Sequence, residues 1–349
     1  MHDTNLNERQ KQILSLLKQK GKASRQYLAN QSLSKDGVSR VTIIRDLNYL
    51  IDCNLVVAEG KGKSTVYRLA EANQSLTYVD LSKYFETETE SRQINREYNK
   101  NIYPQLKNLL SKTDIELWEK SKRVFKEAKE KLDPSIYKRE LERFVIELSW
   151  KSSQIEGNTY SLIETETLIK QNIKARGHSE DEAVMILNHK KAFEVILEKK
   201  DSFKKLELSD VVQLHQVLTK GLVTSGIRSQ KVKISGTQYE PLSSKHELEE
   251  ELRKLVNHVN DSKYPPEKAL ITATLLAYIQ PFADGNKRTS RMLSNAILIA
   301  FDYFPLSYRN IDVNEYRSSM IVFYETGNMY NLKRLFMKQL QFAIENYFK

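Results

Sequence analysis

Residues Gln280-Pro281-Phe282-Ala283-Asp284-Gly285-Asn286-Lys287-Arg288-Thr289-Ser290-Arg291 separate two apolar helical stretches. Upstream, Ala269–Ile279 is the longest strongly apolar run of the chain; downstream, Met292, Leu293, Ala296, Ile297 and Ile299 recur at helical spacing. The pattern predicts helix, tight loop, helix, with Gly285 and Asn286 in the turn. Amides at the start of the second helix would point back into the loop and form an anion site. Arg288 and Arg291 are three apart, so both can lie on the face nearest that site. Asp284 adds a hard carboxylate oxygen suited to Mg²⁺ beside phosphates. An isolated Asp-Gly-Asn turn would read as a structural loop. Two correctly spaced arginines between apolar helices point instead to a nucleoside triphosphate.

These residues resemble the signature loop of Fic-domain proteins, H-x-F-x-[DE]-G-N-[GK]-R-x-x-R, which transfer AMP from ATP to a hydroxyl of a target protein. Of the compared positions Gln280, Phe282, Asp284, Gly285, Asn286, Arg288 and Arg291, all but Gln280 match. The resemblance implies that Phe282 packs the loop on the core and Asp284 holds Mg²⁺. It gives Asn286 and the loop amides to the α- and β-phosphates, and Arg288 and Arg291 to the β- and γ-phosphates. Lys287 stands where the family has Gly or Lys. The family's histidine, which takes the proton of the attacking hydroxyl, is here Gln280. A carboxamide can orient a hydroxyl but cannot accept its proton at neutral pH. ATP binding with slow AMP transfer is therefore expected, unless another base stands in. His215, in the apolar stretch LHQVL, matches a helical histidine common in the family and reads as structural.

Two further segments carry the same resemblance. Residues 138–156 read as an amphipathic helix ending in Ser152-Ser153-Gln154-Ile155-Glu156-Gly157-Asn158, similar to the inhibitory [ST]-x-x-x-E-[GN] motif of Fic proteins. That likeness implies that Glu156, with Ser152 opening the motif, pairs with Arg291 and fills the γ-phosphate position. Alone, Glu156 would be an ordinary glutamate on the last turn of a helix. Residues 226–241 alternate around Gly236 and predict a small hairpin. They resemble the Fic flap, which implies that Ile234, Gly236 and Tyr239 line the site and can receive a target segment by strand addition.

The chain has 349 residues, 55 Lys+Arg against 45 Asp+Glu and a formal charge of +10. No stretch is long and apolar enough to span a bilayer, no secretory h-region is visible at the N-terminus, and one cysteine cannot close an intrachain disulfide. A cytoplasmic protein with no membrane association is expected. With 11 Gly and 7 Pro among abundant Leu, Glu, Lys and Gln, the fold should be mainly α.

The excess charge is concentrated. Residues 1–70 hold 12 Lys/Arg and 6 Asp/Glu, hence +6 of the total +10. There, Gln10, Ile13, Leu14, Leu16 and Leu17 mark a helix, Ser24 can cap a second, and a third begins near Gly37 with Val38, Val41, Ile44, Leu47 and Ile51 as its apolar spacing. Leu55–Val57 and Thr65–Leu69 then read as strands around the turn Glu59-Gly60-Lys61-Gly62-Lys63. Three helices and a basic hairpin make a winged helix-turn-helix, and SRVTIIRDLNYL with its GKGK wing resembles the DNA-binding domain of DeoR-type repressors. The likeness implies double-stranded DNA as partner, with Ser39, Arg40, Thr42 and Arg45 facing the major groove and Lys61, Lys63 and Arg68 on phosphates. A winged helix used only for protein contacts is the alternative.

The expected organisation is a winged helix-turn-helix over residues 1–71, a helical connector over 72–135 with Tyr84, Phe85, Ile94, Tyr98, Ile102 and Tyr103 in a small layer, and a Fic domain over 136–349. The connector reads as a structural linker or a dimerisation arm, which leaves a homodimer open. The functional expectation is an ATP–Mg²⁺-binding regulator, impaired in AMP transfer and linked to DNA. Its rivals are a working adenylyltransferase restrained by Glu156, a Doc-type phosphotransferase, and a transcription factor that uses the Fic fold as scaffold.

Overall fold

The computed structural model describes residues 6–32, 40–53, 55–60, 62–69, 74–224 and 226–349, with the backbone alone for Ser32, Arg40, Asp52, Lys63 and Gln74. Helix α1 (Glu8–Lys20) starts where Asn7 and Gln10 exchange side-chain-to-backbone hydrogen bonds, a reciprocal cap for two orphan amides. It is followed by β1 (Lys22–Ser24), α2 (Arg25–Ser32), α3 (Arg40–Asp52), β2 (Val56–Glu59) and β3 (Val66–Leu69). Ser24 Oγ accepts from the Tyr27 amide at 3.2 Å and caps α2. The strands form one antiparallel sheet in the order β1-β3-β2, so the expected wing is present. Strand β1 was not legible in sequence because three residues give no alternation to read.

Two expectations for this module need correction. The buried stripe of α3 is Ile43, Leu47 and Leu50, whereas Val41 is 72% exposed. Val41 lies two residues, about 200°, round the helix from Ile43, so it cannot share that stripe. Arg68 is not free for phosphate: its Nε pairs with Glu59 Oε1 at 2.5 Å across the β2–β3 pair. Ser39 and Lys61 lie outside the described residues, as do the side chains of Arg40 and Lys63. On the visible part of α3, Thr42 is half-buried and Arg45 exposed.

Between residues 74 and 111 the only α-helix among the described residues is the five-residue α4 (Leu81–Phe85). The helical layer expected there does not form, because the backbone finds partners elsewhere. Asn95 N donates to Glu325 O at 2.9 Å, and Arg96 O accepts from Glu240 N at 2.7 Å. Helices α5 (Lys112–Lys131) and α6 (Pro134–Ile155) meet at Asp133, which caps α6 with Pro134 at its first position. Then come α7 (Leu162–Gln171), α8 (Glu180–Glu198), α9 (Leu208–Thr219), α10 (Lys245–Asp261), α11 (Pro265–Ile279), α12 (Asn286–Ala300), α13 (Val313–Thr326) and α14 (Tyr330–Asn346).

Helix α11 is buried on nearly every side, as a helix with apolar residues all round requires, and α12 is buried as fully although its first two turns are polar. Tyr98, Ile102, Leu109, Trp118 and Phe125 belong to the same hydrophobic cluster, so the connector shares a core with the C-terminal helices. The N-terminal module has its own cluster around Ile13, Leu17, Ile43 and Leu47, against which Tyr78 and Tyr330 pack from outside. No helix among the described residues is long and apolar enough to cross a membrane.

The segment expected as a flap hairpin turns at Ser235-Gly236 but pairs no strands with itself. Its bridges run to other segments, Ile227 to Phe282 and Glu240 to Glu97. Tyr239 is 2% exposed, stacked on Tyr278 at 4.8 Å with its hydroxyl on Tyr278 O at 2.9 Å. It is a core residue, not a lining one. A long aromatic side chain is better stabilised by burial than by presentation at a loop edge. Ile234 is half-buried against the main core and Gly236 is exposed.

Candidate functional site

The loop between α11 and α12 is built from the inside. Gln280 ends α11 in the left-handed region at φ 53°, an unusual conformation for a side chain larger than glycine. Its carboxamide compensates: Nε2 donates to Ala277 O at 2.6 Å and Oε1 accepts from Asn286 Nδ2 at 2.9 Å. Asn286 Nδ2 also reaches Phe282 O at 2.9 Å, while its Oδ1 accepts from Phe282 N at 2.9 Å. One buried asparagine thus ties both ends of the turn. Phe282 is fully buried and stacks on His215 at 3.7 Å, whose Nε2 contacts Asp284 O at 3.0 Å. Gly285 is required: at φ 79°, a Cβ there would lie 2.7 Å from Thr219 Cγ2.

Two arginines that sequence reasoning did not single out fasten the surroundings. Arg228 donates to three carbonyls, Gln280 O at 2.8 Å, Gln230 O at 2.6 Å and Leu242 O at 2.5 Å, and so binds the loop to the start of the 226–241 segment and to Leu242 just beyond its end. Arg92 donates to Gly236 O at 2.6 Å and Glu325 Oε1 at 3.0 Å. No local pattern announces either, because most of their partners lie far along the chain.

Helix α12 starts at Asn286, so the amides of Gly285, Asn286, Lys287 and Arg288 have no intrahelical acceptor. Arg288 is 1% exposed, with Nη2 on Asp284 Oδ2 at 2.6 Å and a buried Nη1 that has no partner. A buried guanidinium nitrogen left unpaired is costly, and an anionic oxygen would satisfy it. Arg291, fully buried, points to the end of α6. Its Nε donates to Ser152 Oγ at 3.1 Å, and its Nη2 to Ser152 O and Glu156 Oε1, each at 2.9 Å. Lys287 Nζ meets the other Glu156 oxygen at 3.1 Å. Tyr316 Oη of α13 lies 3.5 Å from Arg291 Nη1. Sequence reasoning paired Glu156 with Arg291; the Lys287 contact and Tyr316 come from the fold.

The residues fit a triphosphate with Mg²⁺. The orphan Arg288 nitrogen, the free helix amides and the Arg291 guanidinium suit phosphate oxygens. The Asp284 side chain is 60% exposed and offers a carboxylate. Mg²⁺ is usually held by one or two carboxylates together with phosphates, so a single Asp284 suffices, and among the described residues no larger acidic or histidine cluster competes for a metal.

Burial alone would raise the Glu156 carboxyl, but the Arg291 and Lys287 cations outweigh it and bring it down to about 2. His189, fully buried on α8, is pushed down to about 3 by burial, with the Arg288 and Arg291 cations adding to the effect. Both depressed values have the same consequence for folding. The unfolded chain takes up a proton on His189 below pH 6.5 and on Glu156 below 4.5, while the folded protein does not until about 3 and 2. Stability should therefore be fully present above pH 6.5 and fall with acidification, at roughly 1.4 kcal/mol per pH unit for each group in its window. Urea unfolding across this range should show the fall, and His189→Gln should flatten it between pH 6.5 and 4.5.

A loop of this architecture, between two buried helices and facing a glutamate-bearing helix end, has the donors of an anion-binding site. Residues 205–298 match the Fic/DOC family and residues 9–57 the DeoR-like helix-turn-helix domain. The chain carries a Fic/DOC domain behind an N-terminal DeoR-like helix-turn-helix domain. Over 197 residues it is 28% identical to protein adenylyltransferase Fic of Nematostella vectensis, covering 51% of this chain and 43% of that protein. Over 207 residues it is 27% identical to protein adenylyltransferase fic-1 of Caenorhabditis elegans, covering 55% and 39%. The chain thus spans less than half the length of these curated relatives. In fold it is similar to Fic-1 from C. elegans (TM-score 0.58, 22% identity, 67% of this chain and 71% of that one). It is also similar to a Fic domain containing signaling protein from Bacteroides thetaiotaomicron (TM-score 0.55, 20% identity, 66% and 96%).

Proposed function

We propose that this protein is a nucleotide-binding regulator: the Gln280–Arg291 loop holds ATP with Mg²⁺, AMP transfer is slowed by Gln280, and the helix-turn-helix module binds duplex DNA. The observation that carries it is the state of Gln280. Its carboxamide is spent within the loop, on Ala277 O and on Asn286, so an incoming hydroxyl meets no base at that position. In AMP transfer the hydroxyl oxygen attacks the α-phosphorus, the bond to the β-phosphate bridge breaks, pyrophosphate leaves, and the hydroxyl proton must go to a base. General-base catalysis is typically worth about 10²–10⁴-fold, or roughly 3–5.5 kcal/mol of barrier.

Nucleotide binding uses other groups. Arg288 through Nη1, Arg291 and the helix amides, that of Asn286 among them, would take the phosphates, since the Asn286 carboxamide is engaged within the loop, and Asp284 would hold Mg²⁺. The metal, when bound, supplies charge neutralisation between phosphate oxygens. Glu156 occupies Arg291, which favours a second reading, an active adenylyltransferase restrained by this glutamate. Incubation with α-labelled ATP and Mg²⁺ separates the two. We expect ATP to raise the melting temperature, as any ligand bound only to the native state must, with labelling close to background. Strong labelling by the unaltered protein would establish the second reading, and label from the γ-phosphate would establish a phosphotransferase. No thermal shift would leave the Fic fold as a scaffold. A target protein would approach over Ile234 and Gly236, without Tyr239.

Helix α13 gives the two halves a shared element. Its Tyr316 lies against Arg291, while its Glu315 pairs with Arg334 in a cleft lined also by Leu6, Lys11 and Tyr78. For the DNA claim, binding to duplex should weaken steeply with salt. Replacing Lys61 and Lys63 by alanine should reduce the log–log slope by about 2. Absence of binding at low salt would defeat the claim.

A further inference from the structure

We infer that His189 is a positioning residue for Arg291, acting through Ser152, and that the His189–Ser152 pair holds the guanidinium whether or not Glu156 is paired with it. The inference rests on the reading of this site as a nucleotide site.

The hydrogen-bond directions follow from the partners. His189 Nδ1 lies 2.8 Å from Met185 O, which can only accept, and 3.3 Å from Ser153 Oγ, which can accept as well, so Nδ1 carries the proton. In a neutral ring, Nε2 must then accept, and its partner is Ser152 Oγ at 2.9 Å. Burial of His189 keeps the ring neutral. The Ser152 hydroxyl proton is therefore directed at His189, and its lone pairs are left to face Arg291 Nε at 3.1 Å. The chain of donors runs in one direction, from Arg291 Nε to Ser152, from Ser152 to His189, and from His189 to the α8 backbone. A residue at 189 unable to accept would release the serine proton toward an arginine that can only donate.

The pair and Glu156 differ in surroundings. His189, Ser152 and Arg291 are each no more than 1% exposed, and Ser152 holds the guanidinium twice, through Oγ and through its carbonyl. Glu156 follows the last residue of α6, next to Gly157 at φ 103°, with its side chain 15% exposed. Its contact with Arg291 uses Nη2, one of the nitrogens that would face a phosphate. When the carboxylate leaves, Nε and one Nη2 hydrogen stay fixed by Ser152, and the remaining guanidinium hydrogens stay aimed at the ligand. The signal in the sequence was faint: Ile186, His189 and Phe193 follow helical spacing, which marks His189 only as an inward-facing residue.

The test uses the full-length Glu156→Gly protein, with ATP and ADP affinities measured by calorimetry in Mg²⁺. Adding Ser152→Ala or His189→Phe should weaken ATP binding on the order of tenfold or more while changing ADP much less, because Arg291 is assigned to the terminal phosphate. His189→Gln, which can still present an acceptor to Ser152, should restore most of the ATP affinity. Nitrogen-15 NMR of the His189 ring should show Nδ1 protonated and Nε2 unprotonated at neutral pH. Equal ATP affinity with and without His189→Phe would overturn the inference, as would the opposite tautomer or an equal loss for ATP and ADP. If Glu156→Gly itself binds neither nucleotide, the nucleotide-site reading has failed, and that outcome is distinct from the others.

Discussion

Replacing Gln280 by histidine in a Glu156→Gly background should raise AMP transfer from α-labelled ATP by about 10²–10⁴-fold over the unaltered protein. The imidazole would supply a base with an ordinary value near neutrality, and removal of Glu156 would release Arg291 for the terminal phosphate. Residue 280 is well placed for this. It closes α11 at the mouth of the anion loop, with its backbone carbonyl held by Arg228 Nε at 2.8 Å, so a new side chain enters a preset frame. The change also removes the Oε1 contact to Asn286, whose remaining bonds to Phe282 keep the turn closed. Each single change should give less than the pair. Labelling that stays at background in the double variant would show that more than the base is missing.

The second large effect falls on stability. Glu156→Gly should destabilise the nucleotide-free protein by about 3 kcal/mol, the lower end for breaking a buried ion pair, because Arg291 keeps both bonds to Ser152. ATP with Mg²⁺ should then raise the melting temperature of the variant more than that of the unaltered protein. In the unaltered protein the ligand must first displace a carboxylate held by Arg291 and Lys287; in the variant those cations are already free. Thermal unfolding with and without ATP measures both quantities. A variant as stable as its parent, or one that gains no more from ATP, would count against Glu156 as the competitor of nucleotide.

The +10 charge divides in a way the fold makes concrete. Most of the excess lies on the N-terminal module, where Arg45 on α3 is exposed. Among the described residues four of its cations are already paired, Arg9 with Asp46, Lys11 with Glu8, and Lys22 and Arg68 with Glu59. The two cations central to the C-terminal site are almost fully buried.

The sequence by itself determined the parts governed by local order. Helical periodicity marked α6, α8, α10, α11 and α12, and Asp133-Pro134 marked the junction of α5 and α6. The spacing of Asp284, Gly285, Asn286, Arg288 and Arg291 marked the loop, because all five act within one turn and the helix that follows. Tertiary structure decided what depends on partners far along the chain. It withdrew Tyr239 into an aromatic stack, gave Arg68 to Glu59, and turned Val41 outward. It left the 226–241 segment without a ladder of its own, since Arg228 and the connector satisfy its carbonyls and amides instead. It also brought His189 beneath Ser152, 37 residues apart in sequence. Periodicity reports which way a side chain faces; which group it meets there is set by packing between elements, and no window of local sequence contains that information.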